Sequence, residues 1–196
     1  MKIISLFEPF FHNIIHDFYD SEEQSLIWEE LEFLNKPGKL LPPDETGDPL
    51  SSPNKKAVFL DSLYSHRQFS NILSLNRKIF KILPYLKDNP FSEYIRVSDT
   101  DHTMVSYYED GSYYKSHHDY YVISTTTTFW KEPKKFTGGE LKFTEFDYTP
   151  EMFHNSIIIF PSYLKHEVTP LKLDDNDGVN GRYSINQFFS IRQSML

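Results

Sequence analysis

Apolar positions follow two successive rhythms along this chain. Leu26, Ile27, Leu31 and Leu34 recur at helical spacing behind Ser21-Glu22-Glu23-Gln24, where Ser21 and Gln24 have capping-box separation and the first turn is acidic. A helix is predicted to about Leu34, stopped by Lys36-Pro37-Gly38. Phe69, Ile72, Leu73, Phe80 and Ile82 predict a second helix over Ser65 to Leu83, with Pro84 and Pro90 marking its end. From Tyr94 onward the pattern changes to short segments between turn residues. Strands are predicted at Ile95–Val97, His102–Tyr108, Tyr113–Thr128, Gly139–Phe146, Ser156–Phe160, Lys165–Leu173 and Arg182–Ile191. Ile3 to Ile15 reads as a strand-like opening, and residues 41–56, rich in Pro, Asp, Gly and Ser, as a long loop. Such a loop is either a lid or binding segment or a plain surface excursion. Helices followed by strands give an α+β chain in which helices buttress an antiparallel barrel or sandwich.

Length keeps this to one domain: 196 residues are enough for one well-buried core. The expected division is helical support over about 1–92 and a barrel core over about 93–192. Seventeen Phe and thirteen Tyr can build a tight core or line a cavity. The absence of cysteine excludes disulfides, thiolate metal sites and cysteine nucleophiles, and fits a reducing cytoplasm. The apolar N-terminal stretch is too short and too interrupted to cross a bilayer, so a soluble cytoplasmic protein without a membrane partner is expected. A formal charge of −8 argues against nucleic acid as a partner, although Lys131, Lys134 and Lys135 form a local basic spot.

The chemistry-bearing segment is Tyr114-Lys115-Ser116-His117-His118-Asp119-Tyr120. On an extended strand His117 and Asp119 point to one face and His118 to the other. On a helix the first two would lie about 200° apart and could not share an ion. The β-branched and aromatic run from Val122 to Trp130 favours the strand. His166 is the third candidate, because it follows the apolar run Ile157–Phe160, which reads as a buried strand. Two histidines and one carboxylate leave coordination positions open, as non-haem iron(II) oxygenases require; a structural zinc site would close its shell, usually with cysteine. His12, His16, His66, His102 and His154 have no carboxylate partner at strand spacing and read as surface or core residues.

A diacid cosubstrate that chelates iron through its keto-acid end needs a cation for its far carboxylate, and arginine's planar fork suits it. In Gly181-Arg182-Tyr183-Ser184-Ile185, alternation puts Arg182 and Ser184 on one face, so the hydroxyl can add a hydrogen bond, while Tyr183 and Ile185 face away.

These pieces in this order resemble the prolyl-4-hydroxylase-like family of iron(II)- and 2-oxoglutarate-dependent oxygenases. The resemblance runs from about Val105 to Ser190 through Tyr108-Glu-Asp-Gly111-Ser-Tyr-Tyr114-Lys-Ser-His117-His-Asp119 and Phe136-Thr-Gly138-Gly139-Glu140-Leu141. It continues through Ile159-Phe160-Pro161, His166-Glu167-Val168-Thr-Pro170 and Gly181-Arg182-Tyr183-Ser184-Ile185. It implies a double-stranded β-helix, a jelly-roll or cupin-like barrel, with iron held by His117, Asp119 and His166. It also implies 2-oxoglutarate anchored by Arg182 and contacted by Tyr108, with dioxygen consumed and ascorbate as a supporting reductant. Two departures stand out. Arg182 lies 182 − 166 = 16 positions beyond the distal histidine, further than the family pattern, with the polar insertion Asp174–Gly181 between them. A longer hairpin would absorb it. The second is arginine where collagen-type enzymes carry lysine, which leaves the substrate open.

Peptidyl-proline is the substrate that the resemblance favours, with Tyr113, Tyr120, Tyr121 and Trp130 as candidate groove aromatics. A free amino acid or other small molecule is the alternative within the enzyme class. A non-catalytic β-barrel binding module is the alternative outside it, and would be expected to have lost a ligand or anchor residue.

Overall fold

The computed structural model describes residues 1–46, 51–86, 89–174 and 180–191. Its frame is a seven-stranded antiparallel sheet in the order β1-β2-β9-β6-β12-β4-β3, where β1 is Lys2–Leu6, β2 His12–His16, β3 Lys56–Phe59, β4 Thr100–Tyr108, β6 Ile123–Phe129, β9 Ser156–Pro161 and β12 Arg182–Ser190. A smaller sheet β5-β10-β8 (β5 Tyr114–His117, β8 Leu141–Phe143, β10 His166–Val168) and the pair β11-β7 (β7 Phe136–Thr137, β11 Lys172–Leu173) complete the barrel.

Period-two alternation gives the large sheet two different faces. Val105, Tyr107, Ile123, Phe129, Ile157, Ile159, Tyr183, Ile185 and Phe189 point toward the helices and join Ile27, Leu31, Leu34, Ile72, Leu73 and Ile79 in the main core. Ile14, Ile158 and Phe160 point the other way and meet Leu141, Phe143 and Leu164 of the smaller sheet region. Truncating a fully buried ring such as Phe160 to alanine should cost about 3–5 kcal/mol. The observed architecture is the helix-buttressed double-stranded β-helix that the sequence implied.

Several element boundaries differ from expectation. The first helix, α1, is Ser21–Leu34, but its cap is Asp20: the Asp20 side chain accepts from Glu23 N and the Glu23 carboxylate accepts from Asp20 N. The carboxylate pair one residue upstream of Ser21/Gln24 takes the capping role. Over 65–83 there is a relay of short turns (Arg67–Phe69, Asn71–Leu75, Lys78–Ile82) rather than one helix. Ser70 caps a new turn, and Asn76 is pulled inward to bond Tyr19 Oη and Thr103 Oγ1. Tertiary hydrogen bonds to buried polar groups win over helix propagation here. Ile95–Val97 belongs to a helical turn, Ser92–Val97, and the N-terminal stretch is a hairpin rather than one strand. Residues 41–56 contain a helical turn at Pro43–Thr46 and lead into β3; the proposed lid's residues 47–50 lie outside the described residues. So do 175–179 of the polar insertion.

Candidate active site

The strand expected over Tyr113–Thr128 is two strands, β5 and β6, separated by residues 118–122. His117 ends β5 and is paired in register with His166, the first residue of β10, so the ladder sets the two imidazoles side by side with ring centroids 4.4 Å apart. Asp119 is past the strand end. It is held instead by its backbone N–H, which donates to Ser162 O at 2.9 Å, and by its carboxylate, which accepts from Ser124 Oγ at 2.6 Å. Ser124 also contacts Ser162 Oγ at 2.8 Å, closing a small hydroxyl network behind the acid.

The three candidate ligand atoms converge. His117 Nε2 is 3.8 Å from Asp119 Oδ1, His166 Nε2 is 3.7 Å from Asp119 Oδ2, and all three donor atoms fall within 4.8 Å of one another. Each histidine is fixed in the same way: Nδ1 lies 2.8 Å from the carbonyl oxygen two residues earlier, Lys115 O for His117 and Leu164 O for His166. An Nδ1–H donating to that carbonyl leaves the Nε2 lone pair directed at the common point, which is the tautomer a metal ion needs. Burial drives the His117 pKa well below its ordinary value, with His166 beside it acting in the same direction, so the ring is neutral. Tyr114 stacks on His117 at 3.7 Å and Phe160 packs edge-on to His166 at 5.2 Å, which limits ring rotation.

The triad opens into a cavity of about 220 Å³. Opposite it, β12 presents Arg182, Ser184 and Asn186, while β4 presents Met104 and Tyr108; Arg182 and Tyr108 are partners in register. Tyr183 and Ile185 lie in the helix-side core. Arg182 is 2% exposed, and its Nη1 is the one buried side-chain nitrogen or oxygen without a hydrogen-bond partner among the described residues. Burial lowers its pKa, and the guanidinium sits 5.3 Å from the Tyr108 ring. An orphaned fork donor of this kind is costly unless a ligand completes it. Burial raises the Tyr108 pKa, so its phenol remains a hydrogen-bond donor, and it reaches Ser184. Asn186 Nδ2 donates to Ser184 Oγ at 3.2 Å.

Of the aromatic residues expected at a groove, Tyr120 and Tyr121 line the cavity, with Tyr121 stacked on Phe188 at 4.7 Å. Trp130 does not; it packs with Phe136 in a separate cluster, and Tyr113 borders a different surface depression. Three of the other histidines make structural hydrogen bonds: His12 contacts Tyr148, His16 contacts Ser156, and His154 contacts Gln24.

One cavity residue gave no motif signal. Lys55 precedes β3 in the 41–56 segment, which is tied to β5 by backbone bonds between Asn54 and Tyr113 of 2.9 and 3.0 Å. Alternation sends Lys56 outward to Glu109 (2.9 Å) and Lys55 inward, where it is 2% exposed and its pKa is held down to about 7 by burial. A doubled lysine directly before the apolar Ala57-Val58-Phe59 run is the trace that could have revealed it.

Fold and site together define a double-stranded β-helix protein with an open-sided two-histidine, one-carboxylate centre. Residues 103–190 match the model of the 2OG-Fe(II) oxygenase superfamily, and this domain marks the chain as an oxidoreductase of the dioxygenase type. That family uses iron(II), 2-oxoglutarate and dioxygen. The fold is similar to a prolyl-4-hydroxylase from Pseudomonas putida (17% identity, 92% of each chain covered, TM-score 0.61). It is also similar to a Trichoplax adhaerens prolyl hydroxylase in complex with a hypoxia inducible factor oxygen degradation domain peptide (16% identity, 91% of this chain and 83% of that one, TM-score 0.66). A viral collagen prolyl hydroxylase from Paramecium Bursaria Chlorella virus-1 gives 15% identity, 92% and 96% coverage and a TM-score of 0.56. At these identities the likeness concerns the fold. No curated protein sequence matches the chain. Among the described residues no helix is long and apolar enough to cross a membrane.

Proposed function

We propose that this protein is a 2-oxoglutarate-dependent hydroxylase in which His117, Asp119 and His166 hold iron(II) and Arg182, Ser184 and Tyr108 hold the far carboxylate of 2-oxoglutarate, within a single domain. The observation that carries the reading is the pairing of a converged triad with a buried guanidinium whose Nη1 lacks a partner, in the lining of the same cavity. When bound, iron(II), 2-oxoglutarate and dioxygen supply the oxidation: succinate and carbon dioxide form and one oxygen atom enters a substrate C–H bond.

The chain's own residues bind, orient and exclude water. The fixed Nε2 atoms and the hydroxyl-braced Asp119 present one face to the ion and leave the opposite face to ligands. Arg182 offers a planar fork to a carboxylate, and the Tyr108 and Ser184 hydroxyls flank it, so a diacid enters in one orientation. With both histidines tied up and Asp119 ligating, no side chain is needed as a general base; positioning is the protein's contribution.

For the substrate, we favour a prolyl residue in a peptide. Phe59, Met104, Tyr121 and Phe188 form an apolar wall suited to a saturated ring, and Tyr120, 75% exposed, stands where the chain flanking that ring would leave the cavity. Free amino acids are a second reading, favoured by the cavity's small volume and its buried lysine. The test follows succinate formation with iron(II), 2-oxoglutarate and ascorbate, with and without proline-rich peptides. Peptide-stimulated turnover with gain of one oxygen atom supports the first substrate. Metal-dependent turnover indifferent to peptides but raised by free proline supports the second. No turnover under any condition would leave a binding module.

A further inference from the structure

Lys55 is a second buried cation in the ligand cavity, and the proposed cosubstrate leaves it without a counter-ion. Its ammonium donates to Ser106 Oγ at 3.1 Å and approaches Met104 Sδ at 3.7 Å and the Tyr114 ring at 5.2 Å. All three partners are neutral, and among the described residues no carboxylate lies within ion-pair distance of it. An ammonium has three donors, and burying one on such partners is unfavourable unless an anion arrives.

Charge balance says where that anion must come from. In the proposed complex the divalent ion and Arg182 cancel Asp119 and a dianionic cosubstrate, and histidines whose Nδ1–H donates to a carbonyl would ligate through Nε2 as neutral rings. The loaded centre is therefore already compensated, and Lys55 remains as surplus positive charge in the same cavity. Its Met104 contact belongs to the apolar wall that Met104 shares with Phe59, the region left for substrate, while its Ser106 acceptor pairs in register with Ser184 on the cosubstrate side.

We propose that Lys55 is a substrate-recognising residue, binding a carboxylate that lies close in the substrate to the carbon being hydroxylated. Resting on the function proposed above, this narrows the substrate to an acid. The carboxylate is either the free α-carboxylate of a small amino acid or an acidic side chain beside the prolyl residue of a peptide. A neutral prolyl peptide would leave the ammonium uncompensated.

The experiment uses the full chain with iron(II) and saturating 2-oxoglutarate under argon, so that binding is read without turnover. Acid and amide pairs are titrated by calorimetry and by shift in melting temperature: propionate and propionamide, L-proline and L-prolinamide, and Asp-Pro and Asn-Pro peptides with blocked ends. The acid of at least one pair should bind about tenfold or more tighter than its amide in wild type. That preference should vanish in Lys55→Met and survive in Lys55→Arg, with 2-oxoglutarate affinity within threefold of wild type in both. L-proline and the blocked peptide separate the two sources of the carboxylate. No acid preference in any pair, or a preference retained by Lys55→Met, would overturn the proposal. So would a Lys55→Met variant whose main loss is affinity for 2-oxoglutarate, since the lysine would then belong to the cosubstrate. Failure of wild type to bind 2-oxoglutarate at all would instead remove the function proposed above. Lys55→Gln repeats the test should the methionine variant not fold.

Discussion

Replacing Arg182 by leucine should move stability and affinity in opposite directions. In the ligand-free protein the guanidinium is buried with Nη1 unpartnered, so it carries a desolvation cost that Tyr108 and Glu140 offset only in part. Leucine removes that cost and fills similar space beside Gly139, where an added Cβ would lie 3.5 Å from Arg182 Cδ. The metal-free variant should be as stable as wild type or more stable, by on the order of 1–3 kcal/mol, the usual penalty of an unsatisfied buried polar group. Binding should suffer the reverse. A dicarboxylate in the variant would bury one charged end against Tyr108 and Ser184 alone, and losing one partner of a buried charge pair costs about 2–5 kcal/mol. The dissociation constant for 2-oxoglutarate should therefore rise from roughly thirtyfold to several thousandfold. Titration calorimetry with iron(II) under argon measures the affinity, and chemical denaturation of the apo protein measures the stability. A variant that binds 2-oxoglutarate within threefold of wild type would refute the assignment. One that loses several kcal/mol of stability without ligand would show that the guanidinium supports the fold, not a ligand.

Other expected outcomes concern the metal, the buried lysine and one glycine. His166→Ala should abolish metal-dependent succinate formation and weaken iron(II) binding by a hundredfold or more on the order of a lost ligand, while leaving the circular dichroism spectrum intact; wild-type metal affinity would remove His166 from the ligand set. Ser124→Ala should weaken metal binding by about tenfold, because Asp119 loses its 2.6 Å donor, and unchanged affinity would show the network to be idle. The Lys55 ammonium, with its pKa held near 7 when folded, keeps its proton to higher pH in the unfolded chain. From about pH 10 down to 7 the unfolded state thus binds more protons, and the metal-free protein should lose up to about 1.4 kcal/mol of stability per pH unit. Lys55→Met should flatten that slope, and an identical pH profile would contradict it. Gly138→Ala should destabilise by about 2 kcal/mol or more, since a Cβ there would sit 1.9 Å from Pro170 O at a φ of +70°; an unchanged denaturation midpoint would refute the close approach.

Local alternation and residue chemistry were readable directly from the amino-acid order. Period two was enough to put Arg182 and Ser184 on one face of β12 with Tyr183 and Ile185 on the other, and the helical spacing through Leu34 was enough for α1. The candidate set for a metal and a diacid could be named from the sequence because so few residue types can hold either. The course of non-repeating backbone, and which polar groups share a cavity, came from long-range packing. Asp119 is placed by Ser162 and Ser124, thirty-eight residues apart, not by strand alternation. The relay over 65–83 is broken by Asn76 reaching Tyr19 and Thr103. Lys55 is just another lysine until Asn54 and Tyr113 pair and turn it inward. In each case the deciding energy is a hydrogen bond or a burial between segments distant along the chain. No window of neighbouring residues contains it.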